Sequence, residues 1–274
     1  MRRIGGFAVV SSLAIVGAFG VSGAWAFDAR QLSDLQATNS CERCDLGEAR
    51  LKDLDLKGAK LARADLVDAD LKGADLTGAD MSGADLRRAD LEKTILIDAK
   101  LVEANGAGVD MEKSDATRAD FSGADFRNAD IGESSLVSAK MVGADFGGVD
   151  FKRSDMSGAD LSAAKLGRAN LERATLRGAN LSGADLTRAE LDRADLTGAN
   201  LSAAVLKDAQ LKRANFTDAD LTGADLSGAV LKRANLSGAN LEGAKGLKAR
   251  QLEETCGDSR TRLPDTSMVL QICG

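Results

Sequence analysis

"CDLGEARLKDLDLKGAKLARADLVDADLKGADLTGAD", Cys44 to Asp80, carries a leucine at every fifth position: Leu46, Leu51, Leu56, Leu61, Leu66, Leu71 and Leu76. A helix returns to the same face after about 3.6 residues and a strand after about two. A period of five keeps an apolar stripe on neither. Strict repetition at a fixed period instead marks a solenoid, whose units bury their apolar sides only by stacking on one another.

From Leu46 to Leu241 the period runs through forty centres without an insertion, and leucine fills twenty-eight of them. The others are Met, Phe and Ile, with one alanine, Ala116, and one glycine, Gly106. Alanine stands two residues before the centre in thirty-two of the forty units. One large and one small inward residue in every five describes a narrow core. The residue between them is usually Asp or Asn, a turn former that bonds to nearby backbone.

These units, A-D/N-L-x-x in runs such as "ADLTGADMSGADL" and "ANLSGADLTRAELDRADLTGANL", resemble the pentapeptide-repeat family over about 200 of the 274 residues. The resemblance implies an all-β, right-handed quadrilateral β-helix with four pentapeptides per coil and short helical or loop caps at both ends. Coils about 4.8 Å apart would make ten of them a rod of roughly 48 Å. The expected organisation is an export segment over 1–26, an N-terminal cap over 27–45, the β-helix over 46–245 and a C-terminal cap over 246–274. "ARQLSDLQAT" is expected as a short helix over the first coil, and Ala249 to Glu254 as another, followed by a closing loop around Pro264.

The export segment reads directly from its residues. Arg2 and Arg3 precede an uncharged run that ends in Ala24-Trp25-Ala26, an A-x-A cleavage pattern that predicts a cut between Ala26 and Phe27. That places the chain in the periplasm or outside the cell, with no membrane span after cleavage. The competing reading is an uncleaved anchor, because the run is long enough to span a bilayer. Loss of residues 1–26 takes the formal charge from −6 to −8, which disfavours direct nucleic-acid binding.

Cys41 and Cys44 lie at one end of the repeat, and Cys256 and Cys273 at the other. An even cysteine count in an exported chain favours disulfides, and four cysteines permit three connectivities. The rod implied by the resemblance holds its ends far beyond bridging distance, which leaves Cys41 with Cys44 and Cys256 with Cys273. C-E-R-C is also the spacing of a redox motif or of half a zinc site. Zinc wants four ligands, however, and the chain has no histidine.

Without histidine or tyrosine the chain lacks the usual nucleophile-base and proton-transfer groups, and its aspartates fall at one turn position of the repeat. The expectation is a protein that is not an enzyme and takes no cofactor or metal.

Unrolled at twenty residues per coil, one corner reads Arg153, Arg173, Arg193, Arg213 and Arg233 in consecutive coils. This basic strip on an acidic rod is the candidate interface for an unidentified protein partner. A second face, centred on Leu61, Met81 and Leu101, carries small residues at its corner and alternates Lys60, Asp80, Lys100, Asp120, Lys140 and Asp160 before its centres, an expected intercoil ion ladder. The expected role is a binding or scaffolding rod. Alternatives are an envelope element without a specific ligand or, as some relatives suggest, a DNA-mimicking topoisomerase-binding protein if the chain stays in the cytosol. The chain is expected as a monomer or as the end-to-end homodimer of some relatives, and the disulfide-closed C-terminal cap favours the monomer.

Overall fold

Residues twenty apart in sequence are joined by parallel bridges, from Ser40 with Lys60 to Asp225 with Lys245, without a slip of register. Four pentapeptides therefore complete one circuit of the chain. The computed structural model describes residues 29–265 and 267–273; the expected export segment 1–26 and its cut between Ala26 and Phe27 lie outside the described residues.

The unit around Met81 shows why five residues suffice for one side of the coil. The Met81 N–H donates to the Lys100 carbonyl of the next coil at 2.8 Å, and the Gly83 N–H to Val102 O at 2.8 Å. Ala84 N–H closes the turn on Met81 O at 3.0 Å, while Asp85 N–H reaches back to Ala64 O of the preceding coil at 3.0 Å. The remaining donor, Ser82 N–H, bonds the Asp80 carboxylate at 3.0 Å. All five N–H groups of the unit are thus satisfied, and the fifth explains the recurrent Asp or Asn.

The residue two after the centre has positive φ throughout the repeat, with Gly83 at 65° and Arg193 at 62°. The residue before it does not, so these are type II turns, which need a left-handed third residue. Leucines and alanines of the repeat point inward and form one continuous buried core from Leu46 to Leu241. Each buried leucine contributes about 2 kcal/mol of transfer free energy.

The ladder starts before Leu46. Cys41 takes a centre position and Cys44 an alanine position, and their sulfurs are bonded, with Cα atoms 5.3 Å apart. Helix α1, Ala29–Thr38, lies over this end with Leu35 buried. It stops at Asn39, which has φ 55° and donates its N–H to Leu35 O at 2.8 Å, a left-handed C-terminal cap.

The other end is closed by chain that leaves the register and returns to it. Only Ala249–Gln251 is helical, as a 3-10 turn, where a helix through Glu254 was expected. It ends because Thr255 N–H bonds Leu252 O at 3.0 Å, re-forming the repeat turn with Leu252 and Thr255 buried in the leucine and alanine places. Gln251 Nε2 donates to Leu226 O at 3.0 Å and Ala229 O at 2.8 Å, satisfying carbonyls of the last regular coil. Bridges from Asn235 to Cys256 and from Asn240 to Arg262 carry the ladder on with residues inserted. Strand β1, Cys256–Gly257, then pairs in parallel with β2, Gln271–Ile272, and Cys256 is disulfide-bonded to Cys273 with Cα atoms 4.9 Å apart. The closing loop expected around Pro264 thus ends in a strand.

Candidate protein-interaction face

One side of the coil is centred on Leu171, Leu191, Leu211 and Leu231, and its corner carries the arginine column. Arg153 N–H donates to Glu172 O, Arg173 N–H to Asp192 O, Arg193 N–H to Lys212 O and Arg213 N–H to Lys232 O, at 2.9 to 3.1 Å. Backbone bonds therefore tie the column together coil by coil. Each of the five arginines is left-handed, with φ between 58° and 62°. Glycine fills such a position without the roughly 1–2 kcal/mol that a β-carbon costs there. The turn accordingly gives no reason for arginine.

The charges of the column are not equivalent. An Arg153 Nη1 lies 3.2 Å from Glu133, and Arg173 Nε lies 3.4 Å from Glu172. At the far end Lys232 and Arg233 share Glu254, at 2.8 and 3.6 Å. Hydrogen bonds from Lys152 to Glu172 and from Lys232 to Glu254 hold both carboxyls below the usual range. Between these pairs, Arg193, Lys212 and Arg213 are exposed and make no ion pair among the described residues. Asp192 is nearby, but its carboxylate accepts the Lys212 backbone N–H at 3.0 Å. Together with Lys232 and Arg233 these residues line a groove of about 250 Å³.

The structure brings the four cysteines into two local bridges and the five arginines into one column. Lys212 and Lys232 were missed in the sequence. Their signal was available as the residue before each column arginine, and it becomes meaningful only when the groove shows both corner positions facing one space.

Other expected features look different in place. Of the alternating ladder from Lys60 to Asp160, only Lys140 and Asp120 approach as an ion pair, at 4.0 Å, among the described residues. A buried ladder of hydroxyls was not anticipated. Thr94, Ser114, Ser134 and Ser154 replace alanine in four successive coils. Ser134 Oγ donates to Met111 O at 2.8 Å and Ser154 Oγ to Ile131 O at 2.7 Å, so these hydroxyls are satisfied internally and offer nothing to a ligand. Among the described residues no group of three or more acidic or cysteine side chains is placed to hold a metal ion, and no helix is long and apolar enough to cross a membrane.

Comparison with known proteins agrees with this architecture. The family model "Pentapeptide repeats" matches in successive stretches between residues 40 and 245. Among solved structures, the chain is similar to HetL, a pentapeptide repeat protein involved in heterocyst differentiation regulation from the cyanobacterium Nostoc sp. strain PCC 7120. That similarity has 30% identity, covers 87% of this chain and 97% of HetL, and has a TM-score of 0.57. A pentapeptide repeat protein of the Arabidopsis thaliana thylakoid lumen is 34% identical over 41% of this chain and 81% of its own, with a TM-score of 0.30. QnrB1, a plasmid-mediated fluoroquinolone resistance protein, is 19% identical over 68% of this chain and 90% of its own, with a TM-score of 0.35. No curated protein matches the chain.

Proposed function

The chain belongs to the pentapeptide-repeat family, whose fold is the right-handed quadrilateral β-helix, and from that premise we propose that it is an exported, non-enzymatic rod that binds a protein partner in the periplasm. The observation that carries the reading is the trio Arg193, Lys212 and Arg213, three exposed cations that make no ion pair among the described residues, on a chain of net negative charge. Left-handed arginines carry a conformational cost that the turn does not require, and a basic strip on an acidic body attracts acidic surfaces and orients their approach. Export is supported by the Arg2-Arg3 start, the uncharged run and the A-x-A pattern ending at Ala26. Disulfides at both ends suit an oxidising compartment.

The test is crosslinking and capture from periplasmic extract, comparing the protein with a variant carrying Arg173→Glu, Arg193→Glu and Arg213→Glu, after circular dichroism has shown both to be folded. A partner held by the first and lost by the second supports the reading. The same partners with both, or none with either, defeats the assignment of the column as an interface.

A further inference from the structure

The sequence around the groove has lost carboxylates as well as gained cations. On this face the residue before the centre is aspartate in five successive coils, Asp70 to Asp150, but beside the groove it is Gln210 and Val230. Across the corner, the stack that holds Asp75, Asp115, Asp155 and Asp195 continues as Asn215 and Asn235. The turn bond survives there, because Asn215 Oδ1 accepts the Thr217 N–H at 3.2 Å and Asn235 Oδ1 the Ser237 N–H at 2.9 Å. An amide thus replaces a carboxylate where the turn is served by either, and residues 210–217 and 230–237 carry four cations and no acid. Of the acids nearby, Glu254 pairs with Lys232 and Arg233, and Asp192 accepts the Lys212 backbone N–H.

The backbone under the groove has no donor left for a partner. In the Leu211 unit the N–H groups of Leu211, Arg213, Ala214 and Asn215 donate to Val230 O, Lys232 O, Leu211 O and Ala194 O, at 2.9 to 3.1 Å, and Asp192 holds that of Lys212. An extended segment laid along this corner therefore finds no ladder to join, and its own N–H and C=O groups gain no partner from the rod. A helix brings its backbone already bonded.

Spacing favours the same element. The groove's arginines, Arg193, Arg213 and Arg233, stand in consecutive coils and span about 9.6 Å. Helix positions i, i+4 and i+7 share one face and span about 10.5 Å, whereas three same-face residues of a strand span about 13.4 Å. From the charge, the saturated backbone and the spacing we propose that the occupant of the groove is an acidic α-helix of the partner protein, with carboxylates at i, i+4 and i+7 facing Arg193, Arg213 and Arg233. The proposal rests on the column being an interface and names what docks there. Exposed ion pairs contribute little individually, so the contact is reversible and salt-sensitive.

The test is fluorescence anisotropy of the oxidised protein with three labelled peptides of equal length and charge. One is an alanine-rich helix with glutamates at i, i+4 and i+7, the second spreads the same glutamates around the helix, and the third carries prolines that keep it extended. Circular dichroism checks each form. At about 50 mM salt the first is expected to bind at least about tenfold tighter than the other two, and to weaken at least about tenfold by about 500 mM. Lys212→Glu with Arg213→Glu is expected to abolish that binding. Arg43→Glu with Arg63→Glu, the same change of charge at the opposite end of the rod, is expected to leave it. Equal binding of all three peptides that the Lys212 and Arg213 variant loses keeps the interface and overturns the helix. Binding that this variant retains overturns both readings. No binding by any peptide overturns the helix, and the capture experiment then decides the interface alone.

Discussion

A β-carbon placed on Gly106 would lie 2.5 Å from Cε1 of Phe126, one coil above it. The two positions share one stack, and the ring fills the space that a leucine would take in both coils. Phe126 also meets Phe121 edge-on at 5.2 Å and Phe146 at 6.0 Å, and Phe146 meets Phe151 at 5.2 Å. Small and large centres thus compensate in volume at constant packing density.

Gly106→Leu is therefore expected to overpack the core and to lower stability by about 1–3 kcal/mol, and Phe126→Leu to leave a void. The double variant restores leucine to both places and is expected to recover at least about 1 kcal/mol relative to the sum of the singles. Urea midpoints followed by circular dichroism decide this. Additive losses would show that the two positions do not share their space.

The Asp80 carboxylate takes the one N–H of its unit that the ladder leaves over, that of Ser82 at 3.0 Å, and this bond with the Ser82 hydroxyl holds its carboxyl below the usual range. Asp80→Ala is expected to cost about 0.5–1.5 kcal/mol, and Asp80→Asn much less, because the amide oxygen still accepts. Equal losses for the two would make charge, not the turn bond, the reason for the aspartate.

Leucine at every fifth position made a stacked solenoid legible, and the resemblance to the pentapeptide-repeat family supplied four units per coil. The local pairing of Cys41 with Cys44 followed from the implied rod, whose two ends lie too far apart to be bridged. The C-terminal closure was not legible: residues inserted between Lys245 and Leu252 hide the fact that Leu252 and Thr255 rejoin the repeat, and only the Thr255 to Leu252 bond shows it. The arginine column could be read once the resemblance supplied twenty residues per coil, whereas the lack of an ion pair at Arg193 and Arg213 among the described residues could not. It depends on which cation each carboxylate takes: Glu172 pairs with Lys152 and Arg173, and Glu254 with Lys232 and Arg233.

The two disulfides are expected to differ in weight. Cys256 and Cys273 are seventeen apart in sequence and Cys41 and Cys44 only three, so the first closes the longer loop in the unfolded chain. Cys256→Ser with Cys273→Ser is expected to lower stability by about 3 kcal/mol, and the Cys41 and Cys44 pair by less. Hydrogen exchange should place the loss in the coils next to β1 and β2. Uniform loss along the rod would show that the cap does not act locally.

Acid should open the same end first. Burial works against the Asp258 carboxylate, but N–H groups of Gly238 and Arg260, each at 2.9 Å, and the Arg260 guanidinium outweigh it and lower its pKa to about 2. Arg260 also reaches Asp218 at 2.7 Å, so the carboxylate ties the cap to the regular coils. A carboxyl depressed on folding binds its proton more readily in the unfolded chain. Its contribution is then complete above the ordinary aspartate value near 4 and is lost as pH falls toward about 2. Stability of the C-terminal coils is expected to fall across that window, and Asp258→Asn to flatten the part of the fall that this group causes. Thermal melts and exchange between pH 2 and pH 5 read it, and an unchanged slope in Asp258→Asn would assign the acid sensitivity to other carboxylates of the ladder.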